Sequence, residues 1–156
     1  MYKRQAVYPG DSWYQSCDRG VATAVRWSGA DDNFPAGNTD MQDAYMASSP
    51  NWEFVGEFKG DLNQLQPGDI LVTTSARRGR THGHIVVYVS NEIVKKKYPS
   101  SDASFVSASF EERSPGCETW SSGRFVGEGY YVYRNKQKSN PSQYTDVVKG
   151  QNLQDR

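Results

Sequence analysis

A cysteine and a histidine lie at the starts of predicted elements, where together they could carry out acyl transfer. Cys17 follows Ser16, a residue type that caps helices, and lies in the first turn of a predicted helix. Unpaired N–H groups and the positive end of the helix dipole lower the pKa of a thiol in that place. The same N–H groups can stabilise an oxyanion. A thiolate nucleophile also needs a base, and the candidates are the two histidines, His82 and His84.

His84 is the favoured base because it begins the strand with the clearest pattern in the sequence. Residues 85–89 (IVVYV) are apolar or aromatic, which is typical of a buried strand, so a rigid element would fix the direction of the His84 ring. His82 precedes Gly83 in a glycine-containing segment, and we interpret it as a loop residue. The pair alone is a weak signal, since a single cysteine is usually a small buried hydrophobe.

Two helices are predicted before the first strand. The helix that carries Cys17 ends at Gly29, because glycine tolerates the left-handed conformation of a C-terminal cap. Its other apolar positions on the same face are Val21, Ala24 and Val25. Thr39 and Gln42 have the spacing of a capping box and predict a short helix through about Ala47.

Alternating or continuous apolar segments predict five strands, at residues 52–58, 70–72, 84–89, 105–110 and 130–134. The link over residues 73–83 is too short for a helical crossover, so we expect a hairpin tip and an antiparallel sheet. The sequence therefore predicts an α+β domain in which the Cys17 helix packs on a small antiparallel sheet.

Length and charge exclude several classes of protein. The 156 residues suffice for one ordinary domain, which we assign to residues 1–135, and residues 136–156 form a polar tail or linker. The 18 basic and 18 acidic side chains give no net charge, so the chain has no overall electrostatic footprint for nucleic acid. Its longest apolar run, at residues 85–89, is far below the ~20 residues of a membrane helix, and no signal peptide is evident.

The remaining chemistry-bearing residues have structural interpretations. Cys117 follows Pro115 and Gly116 in a loop-like stretch, and we interpret it as structural. The basic cluster at residues 77–80 is typical of a solvated loop, with contact to an anionic polymer as a weaker alternative. Two acidic pairs lack the alternating oxygen ligands of a calcium loop. They are Asp31 with Asp32, and Asp40 with Asp43.

Two segments resemble the paired motif of the NlpC-type cysteine hydrolases of peptidoglycan. In that family an L-x-P-G-D strand entry is followed by a strand that reads roughly H-V-G-I-Y-I-G. This chain has LQPGD at residues 65–69 and HIVVYVS at residues 84–90. The nucleophile helix of the family usually opens D-C-S-G, whereas residues 16–19 here are SCDR. The resemblance covers about residues 8–134 and extends to the related CHAP amidases, which share a papain-like core.

The resemblance implies a papain-like α+β core and four site residues. Cys17 would be the nucleophile and His84 the base. Ser107, in a segment that matches I-H-A-S, would orient the imidazole, and Tyr14 would help to hold the oxyanion. No metal or cofactor is implied. The substrate would be bacterial peptidoglycan, cut at the stem-peptide bond between D-glutamate and the diamino acid or at the muramoyl–L-alanine amide.

The expected function is therefore cell-wall lysis by a monomeric enzyme that neither binds nucleic acid nor inserts into a membrane. Without a signal peptide, it would be made in the cytoplasm and act on the wall as a phage lysin or as an excised catalytic domain. Two alternatives stay open. A catalytically silent member of the fold would bind wall fragments, which the altered residues after Cys17 and the serine at position 107 favour. A thiol acyltransferase would use the same core.

Overall fold

The structure is a computed structural model that describes residues 17–27, 29–97, 99–109, 114–118 and 125–136. Its helices are α1 (Cys17–Trp27), α2 (Thr39–Ser48), α3 (Ser75–Arg78) and α4 (Asn91–Lys97), with a 3₁₀ turn at Leu62–Gln64. Its strands are β1 (Trp52–Glu57), β2 (Ile70–Thr73), β3 (His84–Tyr88), β4 (Phe105–Ser109), β5 (Ser114–Glu118) and β6 (Tyr131–Asn135). They form one sheet in the order β1-β6-β2-β3-β4-β5, and all five pairings are antiparallel. The predicted α+β class is confirmed. None of the helices in these ranges is long and apolar enough to cross a membrane.

The central strands β2 and β3 are covered on both faces of the sheet. On the face that we call the helix face, Ile85 and Val87 pack with residues of α1 and α2 such as Val25 and Met46. On the opposite face, which we call the aromatic face, Val86 packs with Phe105 and with six further buried residues. These are Phe58, Leu65, Leu71, Phe125, Tyr130 and Val132. Burial on both sides explains why β2 and β3 are continuous apolar runs in the sequence.

A β-bulge in β1 lets one short segment contribute to both faces. Trp52 is buried on the helix face, whereas Phe58, just after the strand, is buried on the aromatic face. Residues six apart in a regular strand share a face. The register with β6 shifts between Phe54 and Gly56, and Gly56 has φ +144°. The extra residue switches the side on which Phe58 emerges.

The ends of the first two helices follow from their capping residues. Gly29 has φ +81°, and its N–H donates to the carbonyl of Arg26 at 3.1 Å, which confirms the predicted end of α1. The predicted capping box of α2 is wrong by one residue. Asn38 is the N-cap and accepts from the N–H of Met41 at 2.8 Å, while Thr39 is already helical. Gln42 is buried and donates its side-chain amide to Pro35 at 2.9 Å.

The structure adds elements where loops were expected. Residues 73–83 are not a simple hairpin tip, because Ser75–Arg78 form one helical turn that Gly79 ends at φ +71°. Helix α4 was not predicted, and neither was strand β5. Cys117 lies in β5, opposite Val106, rather than in a loop.

Candidate functional site

Cys17 is the first residue of α1. The positions one and two turns later on its helical face, Val21, Ala24 and Val25, are buried in the core of the helix face. Helix α1 packs against β3 and β4. Just beyond its C-terminal end, the carbonyl of Ala30 accepts a hydrogen bond from Asn135 at the end of β6, at 3.2 Å. An eleven-residue helix is roughly 16 Å long, so Cys17 begins α1 at the end remote from Asn135.

His84 begins β3 opposite Thr73, at the end of the sheet away from Asn135. Its ring is stacked on Phe125 with centroids 6.5 Å apart, and it meets Tyr130 edge-on at 6.4 Å. Both of these rings belong to the aromatic face. The structure therefore brings the Cys17 helix onto the strand of His84 but places the His84 ring on the opposite face from α1.

Ser107 lies in β4, the strand next to β3. The two strands pair through Val87 with Val106 and through Tyr88 with Phe105. Across its other edge, β4 pairs with β5, where Gly116 lies opposite Ser107. Tyr14 and the predicted cap Ser16 lie outside the described residues, as do residues 137–156 of the predicted tail.

The Q-P-G-D segment is a turn that starts β2 in register with β3. Gly68 has φ +99° and donates its N–H to the carbonyl of Tyr88 at 2.7 Å. In return, the N–H of Tyr88 donates to the backbone carbonyl of Asp69 at 2.8 Å. The Asp69 carboxylate accepts from the N–H of Gln66 at 2.9 Å and from Arg134 in β6. This hydrogen bond raises the pKa of the Arg134 guanidinium above its usual range. The motif thus has a structural role, and sequence reasoning missed its partner Arg134.

The solvated-loop interpretation of the basic cluster is wrong for its first two arginines. Arg77 donates twice to Asp43 in α2, at 2.9 and 3.2 Å, and its guanidinium lies 3.6 Å from the ring centroid of Tyr131. The side chain of Arg78 is only 14% exposed and pairs with Glu128 at 3.0 Å. Arg80, at 61% exposed, does project into solvent. The first two arginines therefore tie the β2–β3 link to α2 and to the turn before β6.

The acidic residues considered for calcium have other roles in the structure. Asp31 is buried and accepts hydrogen bonds from Tyr45 at 2.7 Å and from the Trp52 indole at 2.9 Å. Asp43 is the partner of Arg77. Among the residues that the structure describes, no group of three or more His, Cys, Asp or Glu side chains could hold a metal ion.

Comparisons with known proteins add no relative. No protein-family model matches the sequence, and neither the curated proteins nor the solved structures give a significant match. A functional assignment must therefore be argued from the residues of this chain.

Proposed function

We propose that this protein is a cysteine-dependent hydrolase of an amide bond in bacterial peptidoglycan, built on a papain-like core of the NlpC type. One observation carries the proposal. Cys17 is the first residue of a helix that packs against β3 and β4, the adjacent strands that contain His84 and Ser107. The three elements with candidate residues form one packed unit, and the proposed reaction requires the His84 ring to leave the aromatic face and reach the N-terminal end of α1. The Q-P-G-D turn, held by Arg134, fixes the start of β2 beside them.

The proposed reaction is acyl transfer through a thioester. The N-terminal turn of α1 favours the thiolate of Cys17, whose sulfur bonds to the amide carbonyl carbon while N–H groups of that turn stabilise the oxyanion. The C–N bond then breaks as His84 gives its proton to the leaving amine. His84 next takes a proton from water, which attacks the thioester and releases the acid and Cys17. Ser107 orients the imidazole, and Tyr14 contributes to the oxyanion site.

The proposal extends to the setting of the reaction. The protein acts on the wall as a monomer. The bond cut is the amide between D-glutamate and the diamino acid or the muramoyl–L-alanine amide. Mass spectrometry of digested sacculi separates the two. The first bond leaves a new amino group on the diamino acid, and the second leaves a free L-alanine terminus.

A second candidate function is favoured by the position of the His84 ring. A catalytically silent member of the fold that binds wall fragments needs no Cys–His pair. Its histidine can remain packed against Phe125 and Tyr130 on the face away from α1.

Alkylation by iodoacetamide near neutral pH tests whether Cys17 is activated, with Cys117 of the same chain as the internal control. If the protein is a hydrolase, the peptide containing Cys17 should be modified much faster than the one containing Cys117. Of the two cysteines, Cys17 is the one that begins a helix, where the pKa of a thiol is lowered. His84→Ala should abolish wall cleavage, while His82→Ala, the matched control, should retain it. Equal alkylation of both cysteines, with binding of sacculi but no cleavage, would establish the silent binder instead.

A further inference from the structure

We propose that Arg80, in the link between β2 and β3, binds a carboxylate of the substrate, and this inference rests on the proposed function. Glu128 lies between two guanidinium groups, with one carboxylate oxygen 3.0 Å from Arg78 and the other 3.3 Å from Arg80. Arg78 also donates to the carbonyls of His82 and Gly83, each at 3.3 Å. Arg80 is therefore linked to Gly83, the residue before His84, through the Glu128 carboxylate and the Arg78 guanidinium.

The backbone that carries Arg80 is held in place, so its side chain leaves from a fixed point. Its N–H donates to the carbonyl of Ser75 at 3.2 Å, which closes the C-terminal end of α3. Glu128, the partner of Arg80, is also held in place. The hydroxyl of Thr73 donates to the carbonyl of Glu128, which anchors that residue at the end of β2. The backbone at Arg80 therefore loses little entropy when a ligand binds the side chain.

Among the side chains that the structure describes, the charges around Glu128 leave one positive charge uncompensated. Arg77 is neutralised by its two-point pair with Asp43. Arg78 and Arg80 share the single carboxylate of Glu128. Arg78 is nearly buried and has three partners, whereas Arg80 is 61% exposed and makes one long contact. Arg80 is therefore the cation that an incoming anion can reach.

The chemistry of the proposed substrate supplies such an anion. In a stem peptide, D-glutamate is linked through its γ-carboxyl, so its α-carboxylate is free and lies next to the bond to the diamino acid. A guanidinium binds a carboxylate through charge-assisted, often paired, hydrogen bonds. Arg80 would thus favour stem peptides with the free carboxylate over those in which it is amidated.

Binding measurements separate this inference from catalysis. The full chain carrying Cys17→Ala is titrated by calorimetry with synthetic L-alanyl-γ-D-glutamyl-L-lysine and with its α-amide. We expect the free acid to bind about three- to tenfold more tightly, with a difference that shrinks as salt is added. In the Cys17→Ala protein, the further substitution Arg80→Gln should remove the preference for the free acid. Lys95→Gln, at an exposed position on α4, should leave that preference unchanged.

Glu128→Gln should change the preference for the free acid in the direction opposite to Arg80→Gln. Removing the carboxylate that competes for Arg80 should increase the preference for the free acid, and thermal unfolding reports whether the variant remains folded. Equal binding of the two peptides, no binding of either, or a preference that survives Arg80→Gln would overturn the inference. A preference for the free acid in a protein that cleaves no wall would leave this inference standing and reject the proposed catalysis.

Discussion

Asp69 and Arg134 form a two-point ion pair that joins the Q-P-G-D turn to the last strand of the sheet. The Nε and Nη2 atoms of Arg134 lie 2.9 and 2.8 Å from the two carboxylate oxygens. The Asp69 side chain is 1% exposed and that of Arg134 is 26% exposed. Arg134 also donates to the carbonyl of Gln64 at 3.2 Å. One side chain therefore fixes the entry to β2 and holds β6 beside it.

Loss of this ion pair should destabilise the protein. Asp69→Asn removes the charge that Arg134 faces, and we expect the free energy of unfolding to fall by about 2–4 kcal/mol. Urea unfolding measures the change, with Asp102→Asn, at an exposed position, as the control. A loss no larger than that of the control would mean that the ion pair does not stabilise the fold.

Gly83, next to His84, should tolerate no side chain. A Cβ there would overlap the hydroxyl of Thr39 and the backbone carbonyl of Thr73, and the carbonyl belongs to β2 and cannot move aside. We expect Gly83→Ala to lower the free energy of unfolding by about 2–3 kcal/mol or more. Gly37→Ala is the matched control, because its Cβ meets only the end of the exposed, flexible Met41 side chain. Similar melting temperatures for the two variants would contradict this account of the link.

Ser90 has φ +73°, a left-handed conformation that costs a residue with a Cβ about 1–2 kcal/mol. The NlpC-type motif has glycine at the matching position. The Ser90 hydroxyl also accepts a weak hydrogen bond from the N–H of Ile93 in α4, at 3.4 Å.

The two effects predict opposite outcomes for two substitutions. Ser90→Gly relieves the backbone and should raise the free energy of unfolding by about 0.5–1 kcal/mol. Ser90→Ala keeps the strain, loses the hydrogen bond and should lower it by about 0.5–1 kcal/mol. Denaturant midpoints measure both changes. If alanine proved as stable as glycine, the conformation at position 90 would differ from the one described.

Stability should decline at alkaline pH because three tyrosines resist ionisation in the folded chain. Burial raises the pKa of Tyr45, Tyr88 and Tyr133 above the ordinary 10.0, and the nearby carboxylates of Asp31, Asp69 and Asp43 add to the effect. The unfolded chain releases these protons near pH 10, before the folded chain does. The contribution of these tyrosines to the free energy of unfolding should therefore be fully present below about pH 10 and be lost above it.

Tyr88→Phe removes one of these groups and should make the alkaline decline shallower. Urea midpoints across this pH range measure the decline, and tyrosinate absorbance follows ionisation of the folded chain. An identical decline in Tyr88→Phe and the parent protein would show that Tyr88 ionises as readily when folded as when unfolded.

Five of the six strands that the structure describes, and α1, could be predicted from the sequence, but the face of the sheet on which His84 lies could not. Alternation reveals a face only where one side of a strand is polar. Residues 85–89 are apolar throughout because β3 is buried on both sides, so the pattern does not distinguish the positions of Ile85 from those of Val86.

The partners of the arginines were also beyond the reach of local patterns. Arg77 pairs with Asp43, 34 residues away, and Arg78 with Glu128, 50 residues away. A run of basic residues looks the same in a sequence whether or not it has partners. The turn at the Q-P-G-D segment, by contrast, follows from local sequence, because proline and glycine restrict the backbone locally.

Digestion of purified Gram-positive sacculi tests whether Cys17 is the nucleophile of a wall hydrolase, as we propose. New amino termini are quantified over time for the parent protein, for Cys17→Ala and for Cys117→Ala. We expect the parent protein and Cys117→Ala to release amino groups at similar rates, while Cys17→Ala binds sacculi and releases none. Equal release by the parent protein and a folded Cys17→Ala variant, or no release by any of the three from walls of several species, would contradict the proposal.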